Sequence, residues 1–339
     1  MFKRPRLSAQ TFPVNAGIAG FLLFYAVSCS GPQEPEENPV DAGEIADEAP
    51  PEGAATAEDS LPAVWSTNNL DHAVSGIGIS GGAGSTFAVA YADGGVQIFN
   101  FDAERVTGIA ESSAIALGEG RYALLSGTPV TFFPGIDPAG DLKVWIHGGQ
   151  LSEAIEYDLK GTQQAPAVGL CAAPPLSGSS ALHRLAYWSD ASDTLHIGEI
   201  VEESGELSWN RLEDMTADSP VTACTFTTDG VRAFSAPVTQ AATLRRLGRE
   251  TLLTLSDTGT LTAIYDNGES QDLVITDGIT VEAPPLPTAL AAAGDARGGG
   301  YPGGVIVLGG SVATGDNRAV MVDPSRITLT PISVPPGQQ

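Results

Sequence analysis

The sequence predicts an all-β protein: a β-propeller-like body of roughly five to seven irregular four-stranded blades, set after a disordered acidic linker. Three observations carry this. Short apolar runs alternate with turn dipeptides from residue 61 to the end. A short motif recurs at a spacing of roughly 40–55 residues, the length of a four-stranded unit. Charged residues make up 17% of the chain and glycine is plentiful, a composition suited to short strands and tight turns rather than long helices.

In chain order, Lys3, Arg4 and Arg6 precede an apolar stretch from Ala16 to Ser28, 13 residues long. That is a basic start, a short apolar core and a small-residue end, the parts of a secretory signal, and it is too short for a comfortable transmembrane helix. Ala26-Val27-Ser28-Cys29 resembles the lipobox of bacterial lipoproteins, with Ala26 in place of the commoner leucine. The resemblance implies a signal peptide over residues 1–28, cleavage after Ser28, and Cys29 as an acylated first mature residue. Two or three acyl chains would anchor the protein far more firmly than the marginal hold of one. By analogy with lipoprotein sorting, Ser30 rather than an aspartate after the cysteine favours the outer membrane of a bacterial cell envelope.

Residues 29–60 then read as the lipidated cysteine and a linker. Residues 30–60 hold ten acidic residues, no lysine or arginine, and five prolines. So little apolar surface cannot offset the entropy of ordering, which predicts a disordered tether with an r.m.s. reach of roughly 30 Å. The body, residues 61–339, carries 31 acidic and 13 basic residues, a net of −18. Nucleic-acid binding needs a basic face that releases counterions, so that class is set aside. The membrane is reached through the anchor, not through the body.

Thr86–Tyr91 and Val96–Phe99 flank Asp93-Gly94, a hairpin signal whose turn calls for positive φ. Leu182–Trp188 with Leu195–Ile200, Thr251–Leu255 with Leu261–Tyr265, and Val305–Leu308 with Ala319–Val322 repeat the plan. The longer period is marked by Val168–Cys171 and Val221–Cys224, 53 residues apart, with weaker copies at Val74–Ile77, Ile115–Gly118 and Leu286–Leu290. The spans 119–160 and 228–250 do not divide cleanly into such units. Gly140–Trp145 resembles the strand-turn-strand ending of WD-type propeller repeats, although Ile146 stands where the closing aspartate belongs.

Candidate chemistry is sparse. Cys171 and Cys224 occupy equivalent repeat positions on neighbouring inner strands, so they are a candidate disulfide, with two buried thiols as the alternative. His72, His147, His183 and His196 lack the close spacing of a zinc motif, and His196 should pair near Tyr187 rather than opposite His183. Gly76–Gly81 fits G-x-G-x-x-G, but a strand rather than a helix should follow, so no dinucleotide site is assigned. Asp257 and Gly259 resemble fragments of the aspartate box of sialidase-like propellers. Arg245, Arg246 and Arg249 form the basic cluster of the body, expected on an exposed connection balanced by neighbours such as Glu250. No catalytic residue, metal ligand or cofactor is assigned.

The functional expectation is an envelope lipoprotein that is not an enzyme and presents propeller loops to a protein or glycan partner. The alternative is a propeller hydrolase or lyase acting on sugars or lactones, with acidic side chains converging on the axis around calcium.

Overall fold

The computed structural model describes residues 60–81, 85–149, 151–161, 163–295 and 300–327. Ala26, Val27, Ser28, Cys29 and the acidic linker lie outside the described residues. The chain divides into two units, 1–51 and 52–339, and the described residues belong to the second.

Among the described residues, 22 strands group into six small sheets, two pairs of which are joined edge to edge by a short parallel pairing. β1 (Ser60–Ser66) opens the chain. Sheet 1 holds β2 (Val74–Gly81), β3 (Thr86–Tyr91) and β4 (Val96–Asn100). In sheet 2, β5 (Ala116–Leu117) and β6 (Gly120–Leu125) share the partner β7 (Thr128–Ile136), followed by β8 (Leu142–His147) and β9 (Ile155–Asp158). Sheet 3 runs through β10 (Ala167–Ala173), β11 (His183–Ser189), β12 (Thr194–Glu203) and β13 (Glu206–Thr216). Sheet 4 has only β14 (Ala223–Thr227) and β15 (Gly230–Phe234). Sheet 5 holds β16 (Val238–Arg246), β17 (Arg249–Ser256), β18 (Leu261–Ile264) and β19 (Ser270–Thr276). Sheet 6 holds β20 (Ala289–Ala293), β21 (Val305–Ser311) and β22 (Asn317–Val322).

The innermost strands pack in a closed circuit: β2 on β5 and β6, β5 on β10, β10 on β14, β14 on β16, β16 on β20, and β20 back on β2. The protein is therefore all-β and propeller-like, with six units around one axis. β1 completes the ring by joining sheet 6 antiparallel to β22, pairing Ala63 with Val322, so that the start of the described chain finishes the last sheet. Such closure ties two distant parts of the chain together and covers a sheet edge. The expected four strands per unit hold for sheets 3 and 5 and, with β1, for sheet 6; sheet 2 has five because β5 and β6 share one partner, whereas sheet 4 stops at two and sheet 1 at three.

Side chains alternate across a strand, so a sheet sandwiched between two others buries both parities. Phe87, Val89 and Tyr91 pack towards sheet 6, while Ala88 and Ala90 pack towards sheet 2. Leu185 and Tyr187 face sheet 2, and Ala186 and Trp188 face sheet 4. Val305 and Val307 face sheet 1, and Ile306 and Leu308 face sheet 5. This explains why the strands read as continuous apolar runs and not as polar-apolar alternation.

Two turn readings need correction or support. Asp93-Gly94 is not a tight positive-φ turn, since neither residue has positive φ. The chain instead takes a wider turn in which Tyr91 N–H donates to Gly95 O at 3.2 Å. Glycine matters one position later: a Cβ on Gly95 would lie 1.6 Å from the Ala110 carbonyl oxygen. Gly259 and Gly268, by contrast, do adopt positive φ, at 78° and 83°.

Candidate functional site

The axis of the ring is a narrow channel of about 150 Å³ walled by all six innermost strands. Every repeat position marked in the sequence contributes to it: Gly76 and Ile77, Ala116 to Gly118, Val168 to Cys171, Ala223 and Cys224, and Leu290. The sixth wall strand, β16, was not legible. Its residues VTQAATLRR are half-polar because Thr239, Gln240 and Thr243 face the channel and the small sheet 4, so no apolar run announces it. Glycines let the walls approach: a Cβ on Gly78 would meet the Gly118 carbonyl oxygen at 2.3 Å, and one on Gly118 would meet Leu170 Cδ1 at 2.6 Å. The glycine run 76–81 thus serves strand packing, and the next element among the described residues after β2 is the strand β3, not a helix whose N-terminus could hold a pyrophosphate.

Cys171 and Cys224 form a disulfide across the channel wall, joining β10 to β14 with their Cα atoms 5.6 Å apart. Beyond it, the contact of sheet 4 with sheet 5 is polar. Thr225 and Thr243 share a hydroxyl hydrogen bond at 2.8 Å, and Arg245 donates to the Phe226 carbonyl at 2.8 Å. Glu250 accepts from the Thr228 N–H at 3.0 Å and from Arg245 Nε at 2.7 Å. Burial raises the Glu250 pKa, but these donors outweigh it and hold the carboxyl below its ordinary value. The arginine cluster therefore sits in a hairpin, not on an exposed connection: Arg246 donates to the Pro324 carbonyl, and Arg249 lies 3.4 Å from Asp266.

The histidines are dispersed. His72 bonds Asp93 at 2.9 Å near the surface. His147 lies on β8, its pKa lowered by burial. His183 is fully buried, donates Nε2–H to the Glu119 carbonyl at 2.7 Å, and stands edge-on to Phe132. Burial drives its pKa down to about 3, so it is neutral in the folded protein. His196 pairs with Tyr187 in the register of β11 and β12, and its Nδ1 bonds Asp214 at 2.9 Å. The hydrogen bond from His196, then that from Arg211, holds the Asp214 carboxyl below its usual range. Among the described residues, Glu119 is the one charged residue lining the channel, and no three of His, Cys, Asp and Glu come together as metal ligands.

A larger opening lies where sheets 2 and 3 meet, a groove of about 470 Å³. The lining is apolar: Leu125 and Val130 of sheet 2's inner hairpin, Ile146, Leu151, Ile155 and Tyr157 of its outer strands and loop, and Leu207 of β13. Two tight turns frame its mouth. Ser126-Gly127 joins β6 to β7, and Ser204-Gly205 joins β12 to β13, each with two consecutive positive-φ residues as a two-residue hairpin demands. Ser126 Oγ donates to Glu202, linking the two tips. Ile155 and Tyr157 remain 41% and 46% exposed, although both are large and apolar-bodied. Nothing in the sequence singled out this groove. The Ser-Gly turns were the available signal, but which hairpins stand side by side depends on how the sheets pack.

No family model and no curated protein matches the chain. Among solved structures, it is similar to a crystal structure of a triple arginine-to-alanine mutant of AofleA from Arthrobotrys oligospora, at 12% identity over 73% of this chain and 83% of that one, with a TM-score of 0.46. The assignment of the ring rests on the strand pairing and inner-strand circuit given above.

Proposed function

We propose that the protein is a non-catalytic binding module of the bacterial cell envelope, moored through acylated Cys29 and a long acidic tether, whose propeller-like body engages a protein partner. The observation that carries the reading is the groove between sheets 2 and 3. It is open and apolar, and it is held by complete sheets on either side. Rigid walls with preformed apolar space are what binding sites share, since little ordering entropy is lost on occupation. An apolar lining with one carboxylate suits protein side chains better than the many hydroxyls of a glycan.

The test is a photo-crosslinking amino acid placed at Tyr157 in the full chain, in cells of the native host. A discrete protein adduct from Tyr157, absent when the same group replaces exposed Thr258, is expected. Equal labelling from both positions would sink the reading. Anchoring is checked separately: labelled fatty acid should enter the wild-type chain and not a Cys29→Ser variant.

A further inference from the structure

We infer that the groove between sheets 2 and 3 takes an apolar anchor from a basic segment of the partner, an inference that rests on the binding reading above. The floor supplies the apolar half. Leu125, Val130, Ile146, Leu151, Ile155 and Leu207 offer aliphatic surface on which a large apolar side chain can be taken out of water.

The mouth supplies the charge. Glu202 is the one charged residue among the described lining residues, and no basic residue stands with it. Immediately beyond it on the same hairpin, Glu203 and Glu206 are directly paired across β12 and β13. Like charges opposite one another on a hairpin repel. Lys160 meets Glu206 and relieves one of them, which leaves Glu202 and Glu203 as excess negative charge at the tip. The body as a whole is acidic, with 31 acidic and 13 basic residues over 61–339. An acidic segment approaching this mouth would meet a repulsive field, and a basic one would be steered towards it.

The experiment uses the full chain carrying Cys29→Ser, kept free of detergent so that no alkyl chain competes. Three fluorescein-labelled peptides share a Leu-Phe anchor and differ in their flanks: lysine, glutamine or glutamate. Fluorescence anisotropy is expected to rank lysine above glutamine above glutamate, with about tenfold or more between the extremes at low salt and a shrinking gap as salt screens the charges. Ile155→Ser should weaken all three peptides. Glu202→Gln, which keeps the acceptor for Ser126, should weaken the lysine peptide alone. Equal affinity across the three flanks, or binding by none of them, overturns the basic-segment inference. Binding that Ile155→Ser leaves unchanged overturns the groove itself, and with it the reading on which the inference rests.

Discussion

The junction of sheets 2 and 3 and the junctions around sheet 4 answer the same problem in opposite ways. Sheets 2 and 3 are both complete, and an apolar cluster of Val130, Phe132, Val144, Leu185, Tyr187 and Trp209 holds them together. With that much apolar surface buried, the outer part of the junction can stay open as a groove. Sheet 4 has two strands and little surface to bury. Its place is secured by a disulfide on one side and by threonine, arginine and glutamate hydrogen bonds on the other. Where strands supply apolar area, the ring tolerates an opening. Where they do not, covalent and polar links take over.

The sharpest way to break this contrast is to cut the staple. Replacing both Cys171 and Cys224 by serine frees a 53-residue separation in the unfolded chain. On the loop-entropy view this costs about 4 kcal/mol. Urea unfolding monitored by tryptophan fluorescence should show a lower midpoint for the double variant. A loss under about 1 kcal/mol would mean that the polar links suffice.

Acid comes next. His183, at the axial end of the sheet 2–3 junction, has a folded-state pKa near 3, against about 6.5 when unfolded. A depressed histidine contributes full stability above the unfolded value. That contribution is lost as pH falls from about 6.5 towards 3, because the unfolded chain takes up the proton first. The slope is about 1.4 kcal/mol per pH unit, or about 2 kcal/mol by pH 5. Urea midpoints from pH 7 to 5 should fall accordingly, and less steeply in His183→Gln. A slope unchanged by that substitution would place the acid sensitivity elsewhere.

Smaller effects sharpen the comparison further. Thr243→Val removes the hydroxyl that bonds Thr225 and the Phe226 carbonyl, and should cost about 1–2 kcal/mol. Ile155→Ser, in the open groove, should change stability by only about 0.5 kcal/mol, since the side chain is already half exposed. A reversal of that order would show the groove to be structural and sheet 4 to be weakly held.

Much of the fold was legible because strand chemistry is local. β3 with β4, β11 with β12, β17 with β18 and β21 with β22 were all marked by apolar runs and turn residues. The recurring motif also marked five of the six wall strands, since each needs small residues where the strands crowd the axis. β16 escaped because its neighbours are polar, so its own residues are polar too. At Asp93-Gly94 the hairpin forms, but neither residue takes positive φ, and the glycine that a distant contact demands is Gly95, against the Ala110 carbonyl.

The sequence by itself therefore determined an all-β chain of repeated units and placed its two body cysteines at equivalent positions. Alternation, turn chemistry and spacing are properties of a few adjacent residues. Only the tertiary structure decided that the ring has six units, that β1 closes it, that sheet 4 is cut to two strands, and that an acidic-mouthed apolar groove opens between sheets 2 and 3. Those features depend on which surfaces meet across long stretches of chain, and contact between distant surfaces is set by the packing of the whole ring.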